Sequence, residues 1–106
     1  MIGGDIYVHD ARLLRVIEDA ATDTLTMEVD LPQDEWSDEL VPRVLVFADA
    51  YAYQVYEGPF LGCPAILDMT VVGQSGEWSR VRLNTSAGYR ELYCKSVRVA
   101  DRASVA

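Results

Sequence analysis

The sequence has one histidine, two cysteines and four prolines among 106 residues, and nine basic residues against seventeen acidic ones. Each shortage excludes something. One His and two distant Cys, Cys63 and Cys94, do not complete a closed zinc set. Two cysteines are too few for a disulfide-stapled secreted scaffold, so buried free thiols are the expected state. A net charge of -8 and a pI near 4.4 have the wrong sign for neutralising phosphates, which excludes nucleic acid as the expected partner. No apolar run exceeds about six residues and none follows a basic leader, so neither a membrane span nor a secretory signal is expected. A soluble, cytoplasmic protein follows as the expectation.

What is present is apolar residue in quantity, half of the chain, in a length that suits one domain over 1–106. Folding at this size removes roughly 60 to 70% of the unfolded chain's surface from water, so a core forms without metal or disulfide. Alternation with a period of two dominates. Thr24–Leu31 places Leu25, Met27, Val29 and Leu31 against Thr24, Thr26, Glu28 and Asp30, a strand with one buried face. Before it, Arg12–Asp19 carries Leu14 and Val16, with Leu13 and Ile17 as further apolar positions, and a short link makes the two runs a hairpin. Helical spacing of Leu13, Ile17 and Ala20 competes there, but β-branched Val16-Ile17 and the short run favour strand.

Pro32–Pro42 breaks the alternation, with a proline at each end, and reads as a connection with at most a turn or two of helix. Arg43–Asp49 is a continuous apolar run, as in a strand covered on both sides. Tyr51–Glu57 and Ala65–Gly73 follow as strands, the latter with Leu67, Met69 and Val71 on one face. Gly73–Gly76 is a hairpin signal, and Glu77–Thr85 sets Val81 and Leu83 opposite Trp78, Arg80 and Arg82. Tyr89–Val99 is the last strand; a one-residue bulge near Lys95-Ser96 would put Leu92, Cys94, Val97 and Val99 on one face. The expected fold is therefore mainly β: an antiparallel meander of about seven strands over residues 8–99, forming a sandwich or open barrel with at most one short helix. Asp101–Ala106 reads as a frayed terminus.

No chemistry is announced by this pattern. His9-Asp10 could serve as a base and its orienter for Cys63 or Cys94, but a lone His beside an Asp is expected in a turn or cap. Gly73–Gly76 links two strands and supplies no helix N-terminus for a phosphate. Asp34-Glu35 and Asp38-Glu39 lack the glycine-containing loop of a calcium hand. No catalytic residue, cofactor or metal is expected. Tyr89 and Tyr93 share a face with Glu91 and Lys95, and Trp78 with Arg80 and Arg82 suits a cation–π ladder; both patterns also arise from simple cross-strand packing.

Charge is unevenly divided. Residues 1–42 hold eleven acids against Arg12 and Arg15, and residues 43–106 hold six acids against seven bases. Such asymmetry steers a basic partner, although it also serves solubility.

The run Val8-His9-Asp10-Ala11-Arg12-Leu13-Leu14-Arg15-Val16, the alternating strand LTMEVDLP, then RVLVFAD and the closing YRELYCKSVRV resemble small immunity-protein families encoded beside bacterial polymorphic toxins. The chain departs from that pattern in a longer acidic stretch, Gln33–Leu40, and in GPFLGCP at 58–64. The resemblance implies a non-enzymatic protein that binds and blocks a basic toxin. The expected contact surface is Asp30, Asp34, Glu35, Asp38 and Glu39 around Trp36 as anchor. Two alternatives are a module that self-associates as a homodimer through an edge strand such as Tyr89–Val99, and a small-ligand barrel lined by Tyr51, Tyr53, Trp78 and His9.

Overall fold

The computed structural model describes residues 8–32 and 39–101. Among them there is no helix, and Arg12–Asp19 lies within a strand, as its β-branched pair favoured. Eight antiparallel strands form one sheet: β1 (Ala11–Asp19), β2 (Thr24–Pro32), β3 (Leu40–Ala48), β4 (Tyr51–Glu57), β5 (Ala65–Ser75), β6 (Trp78–Thr85), β7 (Gly88–Cys94) and β8 (Ser96–Asp101). Their order is β4-β7-β6-β5-β1-β2-β3-β8. The sheet does not close into a barrel, yet its ends cannot be far apart. Two residues separate β3 from β4, and Lys95 alone separates β7 from β8, so chain continuity folds the sheet over on itself.

The eighth strand is a correction to the single run Tyr89–Val99. The change of phase falls at Lys95, as expected, but it is a corner and not a bulge: β7 pairs with β4 and β6, while β8 pairs with β3 at the far end. Tyr89–Cys94 is therefore an interior strand, and only Ser96–Asp101 lies at a sheet end. Asp101 is no frayed residue; it opposes Arg43, whose Nη1 lies 2.9 Å from its carboxylate.

The connection between β2 and β3 is shorter than its prolines suggested. Pro32 ends β2 and Pro42 lies within β3, with Pro32 opposite Leu40 and Asp30 opposite Pro42. Pro42 is tolerated because among the described residues β8 pairs with β3 only from Arg43 onward, which leaves Pro42 without a described partner on that side. The hairpin after β5 is also tighter than Gly73–Gly76. Pairing runs to Ser75 opposite Trp78, and Gly76 at φ 63 takes the first of two turn positions, where glycine suits a II′ turn.

Bulges account for two errors of phase. One at Leu14 puts Leu13 and Val16 on the core side and leaves Leu14 and Ile17 exposed. Another at Leu67 puts Ile66 and Met69 inward and leaves Leu67 exposed. The core itself joins Leu25, Met27, Val29, Leu45 and Phe47 from one half of the sheet to Val81, Leu83, Leu92 and Cys94 from the other. Val44 and Val46 are buried on the opposite face of β3, matching its expected two-sided cover.

A polar network anchors the end strand β4. Glu57 accepts two hydrogen bonds from Arg90 at 2.8 and 2.7 Å and a third from Thr85 at 2.8 Å, while Arg90 also donates to the Tyr53 hydroxyl. The Glu57 and Arg90 side chains are 10% and 15% exposed, so the bidentate pair is largely removed from water. Gly88, opposite Glu57, admits this close approach: a Cβ there would run into the Tyr56 carbonyl oxygen. The Arg90 hydrogen bonds hold the Glu57 carboxyl below its ordinary value, against burial, which pushes it up. A carboxyl lowered in the folded state stabilises above its unfolded pKa and ceases to do so as pH falls through the folded value. Glu57→Gln is expected to lower stability by about 2–3 kcal/mol at pH 7, with the gap to wild type narrowing as pH falls below about 4. Urea unfolding across pH checks both.

Candidate functional site

Pairing continues through the bend. Ala48 opposes Ser96, and three residues on Tyr51 opposes Tyr93, three residues back, so the β3–β8 and β4–β7 pairings meet across the bend in one register. The Lys95 N–H donates to the Ala48 carbonyl at 3.0 Å, and the Ala50 N–H to the Asp23 carbonyl at 2.7 Å, which brings the β1–β2 turn against the bend. Three residues here adopt left-handed backbone: Asp23 (φ 52), Asp49 (φ 51) and Ala52 (φ 55). Aspartate visits this region through local hydrogen bonding, but alanine has no such compensation. Ala52 sits in the bulge that separates Tyr51 from Gln54.

Two aromatic rings are fixed at this corner by their polar ends. The Tyr51 hydroxyl donates to Asp23 Oδ2 at 2.8 Å, and Trp78 Nε1–H donates to the Asp49 carbonyl at 3.0 Å. Their centroids lie 6.1 Å apart, edge to face. Lys95 Nζ sits 4.5 Å over the Trp78 ring and 3.4 Å from Glu77. The hydrogen bond to Asp23 raises the Tyr51 pKa, helped by desolvation and by the charges of Asp23 and Asp49.

Tyr51 is the shared wall of two clefts. One, of about 290 Å³, is lined by Glu18, Asp19, Asp23, Leu25 and Ala52. The other, of about 190 Å³, is formed by Tyr51, Ser75, Trp78 and Tyr93. A third cleft beyond Tyr93 contains Gln54, Arg80 and Glu91. Arg80 Nε is buried without a hydrogen-bond partner among the described residues, 3.9 Å from Glu91 Oε1. Further along the same outer face, Tyr56 stacks on Tyr89 at 4.8 Å, and Arg82 lies 4.4 Å over the Tyr89 ring while bonding Glu91. The expected cation–π contacts thus exist with exchanged partners: Lys95 covers Trp78, and Arg82 covers Tyr89.

No family model matches the chain, and no curated protein matches it.

Of the acidic surface expected from sequence, Asp30 is half-buried on β2 opposite Arg12, and Glu39 is exposed just before β3. Asp34, Glu35, Trp36 and Asp38 lie outside the described residues. Asp30 lies about 23 Å along the chain direction from Asp23, given roughly 3.3 Å per strand residue. His9 occupies a turn, its ring Nδ1 bonded to the Leu67 carbonyl at 2.9 Å. It does not join Tyr51 and Trp78 in a common cleft, and neither does Tyr53, whose hydroxyl accepts from Arg90. Both cysteines are free, Cys63 exposed and Cys94 buried. Among the described residues no three His, Cys, Asp or Glu side chains gather as a metal site, and no helix is long and apolar enough to cross a membrane. Sequence reasoning missed Asp23 and Asp49; the signal was Asp49-Ala50 interrupting two apolar runs.

Two outcomes follow. Burial pushes the Cys94 thiol up to about 11, so a disulfide reagent at about pH 8 is expected to titrate one thiol, Cys63, in the native protein and the second only after denaturation. Two fast thiols would contradict the burial. Ala52→Gly relieves a backbone cost of about 1–2 kcal/mol and adds about 0.5–1 kcal/mol of chain entropy loss, so a rise of a few degrees in melting temperature is expected.

Proposed function

We propose that the chain is a non-enzymatic binding protein of immunity type, which captures a basic protein partner, a toxin, through its acidic surface. The observation that supports this best is the acidic charge gathered around the β1–β2 turn, where no salt bridge among the described residues offsets it. Glu18 and Asp19 are exposed there, Asp23 is half-exposed, and Asp49 joins them from the bend. Of the two bases in residues 1–42, Arg15 is already held by Glu28 through a 2.7 Å hydrogen bond. A field of this kind raises the rate at which a basic surface finds its orientation. The acids of the β2–β3 connection, with Trp36, extend the same sign of charge in sequence.

Association with the product of the adjacent reading frame tests the reading. A basic toxin domain encoded there, co-purifying with this chain and associating several-fold more slowly as salt rises from about 0.05 to 0.3 M, is the expected result. A neighbour without toxin character, or one that fails to co-purify, would overturn it.

A further inference from the structure

The aromatic cleft is open although its walls are apolar. Tyr51 is 46% exposed, and the hydrogen bonds of Tyr51 to Asp23 and of Trp78 to Asp49 keep both rings from turning inward. Rings fixed before binding lose little entropy on contact, which is the property of a recognition slot. Its chemistry favours a neutral occupant. Lys95 already covers the Trp78 ring, and Arg80 lies in the next cleft past Tyr93, so a second cation would meet like charge. A flat apolar ring such as proline meets no such cost.

Across Tyr51 the preference reverses. The groove of Glu18, Asp19 and Asp23 is acidic, and the negative charge of Asp49 also reaches Tyr51. A lysine or arginine side chain is complementary to it. Its aliphatic stem can lie along Ala20 and Ala52 while its head meets the carboxylates.

We infer that the corner reads an extended segment of the protein partner, seating a basic side chain in the acidic groove and a proline ring between Tyr51, Trp78 and Tyr93. Extended proline-bearing segments suit such a site because they are already close to the bound conformation and present flat ring faces. The inference rests on the basic-partner reading and adds to it the chemistry of the epitope and the place where it docks. Its two halves make separate demands: the groove requires charge, and the slot requires an apolar ring.

Synthetic octapeptides (Arg-Pro)4, (Arg-Gly)4 and (Glu-Pro)4, titrated into the full chain and followed by amide and indole NMR, separate these demands. (Arg-Pro)4 is expected to shift the amides of residues 18–24 and 49–53 together with the Trp78 indole N–H. (Arg-Gly)4 is expected to shift the first set alone with about fivefold weaker affinity, and (Glu-Pro)4 to shift neither. The double variant Glu18→Gln with Asp19→Asn changes exposed residues and keeps the Asp19 side-chain oxygen that accepts from the Ala21 N–H. It is expected to weaken (Arg-Pro)4 about tenfold, and Trp78→Leu to remove the preference for proline over glycine. Equal binding of the two arginine peptides, or shifts centred elsewhere, would overturn the inference. A toxin that binds the double variant as tightly as wild type overturns the corner assignment and leaves the immunity reading standing. Corner binding of (Arg-Pro)4 by a chain that captures no toxin does the reverse.

Discussion

The bend shared by β3–β4 and β7–β8 organises the molecule. A flat ladder from Arg43 to Glu57 would place β4 and β8 at opposite margins of a wide sheet and leave two faces to water. The chain instead turns at Asp49-Ala50 and at Lys95 without losing register, so each half of the ladder carries its neighbours to opposite sides of one core. β2 and β1 follow β3, and β6 and β5 follow β7. The remaining join, between β1 and β5, consists of Ala11 opposite Ile66 and Arg12 opposite Ala65, too short to organise the sheet by itself. The Glu57–Arg90 network then fixes the strand that the bend has carried furthest.

Most of the strands were legible because each has one buried face, and period-two alternation is the direct record of that burial. β2 and β6 read cleanly for this reason. Where the reading failed, the pleat itself is interrupted. A bulge inserts one residue without changing composition, so Leu14 and Leu67 carry the same apolar signal as their inward neighbours while pointing to water. Prolines misled in the opposite way: Pro32 and Pro42 look like breakers but stand at or near strand ends where, among the described residues, pairing continues on one side alone. The phase reversal at Lys95 was visible in Leu92, Cys94, Val97 and Val99. Its meaning was not, because a bulge and a corner leave the same trace in one dimension.

The site was legible residue by residue and illegible as a group. Tyr89, Glu91, Tyr93 and Lys95 share a face, as alternation requires, and Trp78, Arg80 and Arg82 lie on the same face of the neighbouring strand. That Tyr51, Trp78 and Tyr93 surround one cleft depends on the bend, and so on pairings between residues far apart in sequence. Glu57 and Arg90, thirty-three residues apart, had no local signal at all.

Strain and polarity coincide at the corner. The bend and the β1–β2 turn packed against it need left-handed residues, and Asp49 and Asp23 supply them at little cost. The bend does not need an alanine in that conformation at 52, where glycine would serve. Nor does it need an exposed Tyr51 and a half-buried Trp78 tied by hydrogen bonds, since fuller burial of those rings would stabilise the fold further. Strained backbone persists where the surroundings over-determine it, and here the surroundings are the tied rings and the carboxylates themselves. The arrangement holds an apolar slot beside an acidic groove, the geometry on which the proposed contact surface rests, and neither belongs to the buried cluster that joins the two halves of the sheet.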